Sequence, residues 1–235
     1  MNNQIKKLSL FVFLLGITLS ISGSIQTKNG IVKNANALIA TLSSDQKTLA
    51  MMSFEDKDRT TWTFLPAQNR TGLPFKKMSA DQKGLVYAFL GAHLSEMGLK
   101  KTQSIIALEA ILFEMEKDPK RDTEKYFISF FGTPSKDKAW AWSFEGHHVS
   151  LNYTIVNGKI SSSPQFLGSN PGEVRTGSKK GMRVLKSEED FAYELLETFN
   201  ENQKSAAVIS DKTYGEIVTR FESEVRNLGE DGVKV

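Results

Sequence analysis

A carboxylate, two imidazoles, a hydroxyl and an amide fall within one short stretch of this chain, as Glu145, His147, His148, Ser150 and Asn152. Carboxylates and neutral imidazoles move protons or hold divalent metals, while hydroxyl and amide groups orient a bound molecule. The segment from Trp140 to Asn152 also holds two of the chain's three tryptophans and two of its three histidines. Chemistry is placed here, although these residue types name neither a reaction nor a ligand.

Whether the groups converge depends on strand alternation. Large apolar residues are even-numbered up to Gly146 (Trp140, Trp142, Phe144) and odd-numbered beyond it (Val149, Leu151, Tyr153). In one regular strand these two sets point to opposite sides. A bulge or bend at Gly146 shifts the phase by one residue. With that shift His147 joins the apolar residues on the core side, and Glu145, His148, Ser150 and Asn152 share the other side. Glu145 and His148 are then the expected catalytic groups, either of them able to take a proton from water. His147 and His148 are the expected metal ligands, with a divalent ion such as zinc as the candidate cofactor, and two imidazoles with one carboxylate leave its coordination open. Ser150, Asn152, Trp142 and Asn170 are the expected ligand contacts. The structural alternative has His147 bonded to a main-chain carbonyl in the core, His148 on a solvated face, and Trp140 and Trp142 buried as core residues. His93, near Phe89, Leu90 and Met97, reads as structural. The turn-rich loop from Ser163 to Gly172 can fold over the polar row and bring Asn170 and Arg175 near it. Arg175, Lys179 and Arg183 either meet an anionic group there or are ordinary surface charge. Neither a nucleophile elbow nor a phosphate loop is present.

The elements that must position this segment can be read from local signals. Leu42 to Leu49 and Met78 to Leu85 each carry a serine followed three residues later by glutamine, the capping box that starts a helix. The second of these helices is expected to run from Asp81 to Met97 and stop at Gly98. Another is expected to open at Thr102, with Ile105, Leu108, Leu112 and Met115 on one face. Pro119 and the charges from Lys117 to Lys125 end it. A period of two then marks strands at Tyr126 to Phe131, Trp140 to Phe144 and His147 to Val156. Asn157-Gly158 reads as a two-residue turn pairing Val149 to Val156 with Lys159 to Ser163. Arg183 to Leu185 is a further expected strand, a capped start at Ser187 opens a helix to Ile209, and Thr213 to Leu228 is another. Helices, then strands, then helices define an α+β fold with an antiparallel sheet carrying the Gly-His-His strand.

Residues 1–22 follow the pattern of a secretory signal peptide: Lys6 and Lys7, a fourteen-residue apolar run from Leu8 to Ile21, and small residues suiting cleavage after Ser22 or Ser24. The run is shorter than the ~20 residues of a membrane span. Residues 23–36 read as a tether and 37–235 as a single domain, secreted or periplasmic. Cleavage removes two lysines and no acid, taking the net charge from +3 to +1. That balance lacks the one-signed field that draws in nucleic acid or anionic lipid; a small molecule or a glycan is the expected partner. The absence of cysteine excludes disulfides, thiolate metal sites and a cysteine nucleophile.

Phe131-Gly132-Thr133-Pro134, the block from Trp140 to Asn152 and the run from Pro164 to Pro171 resemble a family of mostly exported bacterial and fungal proteins, catalogued as a domain of unknown function, number thirty-five hundred. Asn69 to Leu73 with the Gln82 helix, and Gly181 to Gln203, resemble its flanking blocks. The resemblance implies no established reaction, substrate or cofactor. Longer members continue with another helix and a His-x-His segment, so it also implies a chain shortened relative to them. Two functions stay open: metal-assisted or general-base hydrolysis, and noncatalytic binding of an extracellular glycan or small molecule.

Overall fold

The computed structural model describes residues 28–66, 70–217, 219, 220 and 222–224; the signal-like segment and its cleavage positions lie outside the described residues. Helix α1 (Lys28–Ala40) buries Ile31, Ala35 and Leu38. The expected tether is thus helical from Lys28 onward, because a sparse apolar stripe at helical spacing outweighs its polar composition. Helix α2 (Ser44–Ala50) begins at Ser43, whose hydroxyl accepts the Gln46 amide while the Gln46 side chain accepts the Ser43 amide. Helix α3 (Ala80–Gly91) begins with the same reciprocal bonds between Ser79 and Gln82. The two boxes also join one another, as Gln46 and Gln82 pair side chain to side chain at 2.9 Å.

Helix α4 (Glu96–Glu116) corrects the expected boundaries. Ser95 caps it by accepting the Gly98 amide at 3.0 Å, so Gly98 lies in a first turn rather than at a stop. Thr102 is inside the helix and donates its hydroxyl to the Gly98 carbonyl at 2.9 Å. Ile105, Leu108 and Leu112 are buried as expected, but Met115 is exposed.

The sheet comprises β1 (Met51–Met52), β2 (Leu73–Pro74), β3 (Phe127–Phe131), β4 (Trp140–Gly146), β5 (Val149–Val156), β6 (Lys159–Ser161) and β7 (Gln165–Leu167). Its order is β1-β3-β4-β5-β6, with β2 also on β3 and β7 also on β5. The β1–β3 pairing is parallel and the others are antiparallel. With helices before and after the strands, the fold is α+β as the element order implies. Asn157 and Gly158 both have positive φ, 50° and 67°, and form the expected tight turn into β6.

The phase change at Gly146 has a different cause from the expected bulge. β4 and β5 pair continuously from Trp140↔Ile155 to Gly146↔Val149, so His147 and His148 are the two residues of a hairpin turn, with His148 at φ 58°. Opposed residues in an antiparallel pair point to the same side. Even positions of β4 and odd positions of β5 therefore share a face without any break in either strand. Gly146 is required for space: a Cβ there would lie 2.1 Å from the Tyr126 ring, whose hydroxyl donates to the His147 carbonyl at 2.9 Å.

The apolar face of β4 and β5 packs with Ile31, Ala35, Phe89, Leu90, Ile105 and their neighbours into one core. Trp142 stacks on Tyr153 with ring centres 4.3 Å apart and donates its indole N–H to His93 Nε2 at 3.1 Å. His93 Nδ1 then carries the proton and donates to the Phe89 carbonyl at 3.0 Å. Burial holds this imidazole neutral, its pKa lowered to about 4, and its structural role agrees with the sequence reading.

After the sheet, the expected strand at Arg183 to Leu185 is not formed. Helix α5 (Lys186–Glu197) starts after Leu185 without a side-chain cap, so Ser187 is not its capping residue. The expected single helix to Ile209 breaks at Thr198–Asn200, where Asn200 and Gln203 form a capping box that starts α6 (Glu201–Ala207). The described residues from 213 onward are not helical; the rest of the expected helix lies outside the described residues. Among the described residues no helix is long and apolar enough to cross a membrane.

The close fit of Tyr126 on Gly146 makes a specific demand. Gly146→Ala is expected to destabilise the fold by about 2 to 3 kcal/mol through overpacking, read as a lower denaturant midpoint. An unchanged midpoint would contradict the space argument.

Candidate active-site cleft

The second face of the sheet is polar because the register makes it so. Glu145 is opposite Ser150, and Ser143 is opposite both Ser129 and Asn152. The Ser150 hydroxyl donates to Glu145 Oε1 at 2.6 Å, and Asn152 Nδ2 donates to Ser150 Oγ at 2.9 Å and to the Pro164 carbonyl at 3.2 Å. Three of the four residues expected on this row are therefore brought together. Ser150 and Asn152 are buried, and together they hold the carboxylate.

A strap formed by residues 61–65 crosses this face. Its Thr63 backbone also donates to the Glu145 carboxylate. Arg70 fastens the strap to the hairpin, with Nη2 donating to the carbonyls of Thr63 at 3.2 Å, Leu65 at 2.8 Å and Gly146 at 3.1 Å. The next residues are tied down too: the Ser129 hydroxyl donates to the Thr71 carbonyl at 3.2 Å, and a Cβ on Gly72 would meet Ser129 Oγ at 2.4 Å.

Between strap and sheet lies a cleft of about 390 Å³, lined by Asp58, Thr61, Trp62, Thr63, Leu65, Arg70, Thr71, Phe131, Ser143 and Glu145. Glu145 is only 9% exposed. Burial pushes its pKa above the usual carboxylate value, against the opposing pull of the Ser150 hydroxyl, the Arg70 charge, the Thr63 amide and Asn152. Burial likewise lowers the Arg70 pKa, with Glu145 acting against it. A carboxyl group held by several donors yet biased toward its neutral form is suited to giving and taking a proton.

His148 does not join this group. Its backbone is fixed by an N–H bond to the Phe64 carbonyl at 2.9 Å and by the Gly168 N–H on its own carbonyl at 2.8 Å. Its ring stands edge-on to Phe64 and Phe166, and Nδ1 is buried without a hydrogen-bond partner. Burial, then the neighbouring His147 and Arg121 charges, lower its pKa to about 4.

His147 turns to the other side, as expected, but toward a partner the sequence reading did not include. Its Nδ1 is bonded to the carboxylate of Glu109 on α4, which is 2% exposed and also accepts the Asp122 amide at 3.2 Å. Arg121 Nη1 lies 3.4 Å from both ring nitrogens. The two histidine rings are 4.1 Å apart. Among the described residues no group of three or more histidine, aspartate or glutamate side chains is placed to hold a metal ion, and the Arg121 guanidinium opposes a cation beside His147.

The expected ligand contact Trp142 is 1% exposed in the core and corrects that expectation; Trp140 is fully buried as well. Asn170 is half-buried in its loop and is not part of the cleft wall. Arg183 pairs with Glu189 and Asp190, Lys179 lines a separate hollow against α4, and neither these two nor Arg175 belongs to the cleft wall. Asp58, Trp62, Thr63 and Glu109 were missed. Glu109 did carry a signal, since it sits at helical spacing among Ile105, Leu108 and Leu112, where a charge demands a partner. Arg70 lies in the Asn69 to Leu73 block already singled out.

An α+β protein with a buried carboxylate beneath a strapped cleft is the class that fold and site define. Residues 24–235 match the family model described as Protein of unknown function (DUF3500), and the chain belongs to that family. No curated protein and no solved structure matches it.

Arg70→Met removes two bonds to the strap, at Thr63 and Leu65, and the one that ties it to Gly146 of the hairpin. It is expected to cost at least about 2 kcal/mol and to speed amide exchange in residues 61–65 selectively. Unchanged exchange there would show that the strap is held by other contacts.

Proposed function

We propose that the chain is an exported hydrolase of general acid–base type, acting on a small molecule in the cleft through Glu145. The observation that carries this reading is a 9% exposed carboxyl, with its pKa raised by burial, lining an open cleft and held by donors from both strands and strap. As a base, Glu145 takes a proton from water as the water oxygen attacks the substrate; as an acid, it returns that proton to the leaving group. Water is thereby divided between the two products. Export is supported by the N-terminal pattern of Lys6 and Lys7 followed by the apolar run to Ile21.

General-base chemistry is preferred over the metal-assisted form because Arg121 lies against His147 and because His148 is directed away from the cleft toward Phe64 and Phe166. A purely binding role is the second reading, favoured by the size of the cleft. Trp140 and Trp142 are buried in the core, so neither indole ring is available for such a role.

The test is hydrolysis of chromogenic carboxylic esters, phosphoesters and glycosides by the purified chain and its Glu145→Gln variant. Cleavage of one class is expected, with kcat reduced at least ~100-fold in the variant while its circular dichroism is unchanged. His148→Ala should retain activity within a few-fold of the parent. Equal activity of the Glu145→Gln variant would remove the carboxyl from the mechanism, and absence of cleavage throughout would favour the binding role.

A further inference from the structure

We infer that the cleft recognises an uncharged, hydroxyl-rich ligand of monosaccharide size, with Asp58 and Glu145 as its two carboxyl contacts. This names the substrate class for the acid–base reading of Glu145 and rests on the same cleft. The argument begins with charge. Arg70 is the cation in the wall; its Nη2 donates to three main-chain carbonyls, and its Nε is buried without a hydrogen-bond partner. The Glu145 and Asp58 carboxyl groups in the same wall offset its charge and disfavour a carboxylate or phosphate ligand. An amine is disfavoured as well, because it would enter beside the desolvated Arg70 charge.

What remains is hydrogen-bonding capacity without net charge to satisfy. Thr61, Thr63, Thr71 and Ser143 contribute hydroxyl-bearing side chains to the wall. Asp58 is half-buried and anchored by the Thr71 hydroxyl on Oδ2, leaving carboxylate acceptor capacity for a ligand hydroxyl. Carboxylate and hydroxyl groups together accept from and donate to vicinal hydroxyls. Trp62 spends its indole N–H on the Glu222 carbonyl at 3.0 Å, so with Phe131 it offers the cleft only carbon surface. A volume of about 390 Å³ accommodates one sugar ring with its hydration.

The probes are glucose, galactose, mannose, xylose and N-acetylglucosamine, set against acetate, phosphate and methylammonium. Each is titrated into the full chain while the Glu145 side-chain carboxyl carbon is followed by NMR. At least one sugar is expected to shift that resonance saturably, the ions are not, and Asp58→Asn should weaken the sugar about tenfold or more while leaving the free Glu145 resonance in place. Saturable shifts from an ion instead, or from none of the probes, would overturn the inference. A sugar response that is identical in Asp58→Asn would overturn the role of Asp58. These outcomes are separable from failure of the acid–base reading, which is decided by hydrolysis with the Glu145→Gln variant.

Discussion

The two-residue reversal at His147-His148 is the constraint from which the remaining geometry follows. It fixes the register of β4 against β5, and that register puts Trp142 opposite Tyr153 in the core and Glu145 opposite Ser150 on the reverse face. Tyr126 holds the turn from below, with its ring against Gly146 and its hydroxyl on the His147 carbonyl. Arg70 holds it from the other side through the Gly146 carbonyl. The reversal also sends the two histidines to different neighbours: His147 meets Glu109 and Arg121, and His148 meets Phe64 and Phe166. Their adjacency in sequence is a property of the turn and not of a shared ligand.

A buried carboxyl on this face is stable only if its environment compensates for lost hydration. Glu145 receives the Ser150 hydroxyl, itself oriented by Asn152, and the Thr63 amide from the strap, with the Arg70 charge nearby. Desolvation still exceeds these contributions, which is why its pKa moves upward. The strap therefore does two things at once: it supplies a donor to the carboxylate and limits its hydration, which raises its pKa.

Much of this was legible in the residues, and the exceptions have physical reasons. The capping boxes at Ser43 and Ser79 and the turn at Asn157-Gly158 are local, and local hydrogen bonding decides them. The polar row of Glu145, Ser150 and Asn152 followed from parity, which a bulge and a hairpin change in the same way; only the tertiary pairing distinguishes the two. Gly98 misled because glycine ends helices more often than it occupies a first turn behind a serine cap. The strap, Arg70 and Asp58 were not legible as site residues, because their approach to Glu145 spans some 75 to 87 positions of sequence and leaves no periodic trace. Trp142 was misplaced for a related reason: an aromatic strand residue looks alike whether its face meets helices or ligand.

The central claim is that burial beneath the strap biases Glu145 toward its protonated form. A carbon-detected NMR titration of the Glu145 carboxyl in the ligand-free chain tests this most directly. The account predicts a midpoint above the ordinary glutamate value of 4.5, moving higher still in Ser150→Ala as a donor to the charged form is lost. A midpoint at or below the ordinary value would show a carboxylate stabilised in its charged form, and would contradict the proton-transfer role assigned to it.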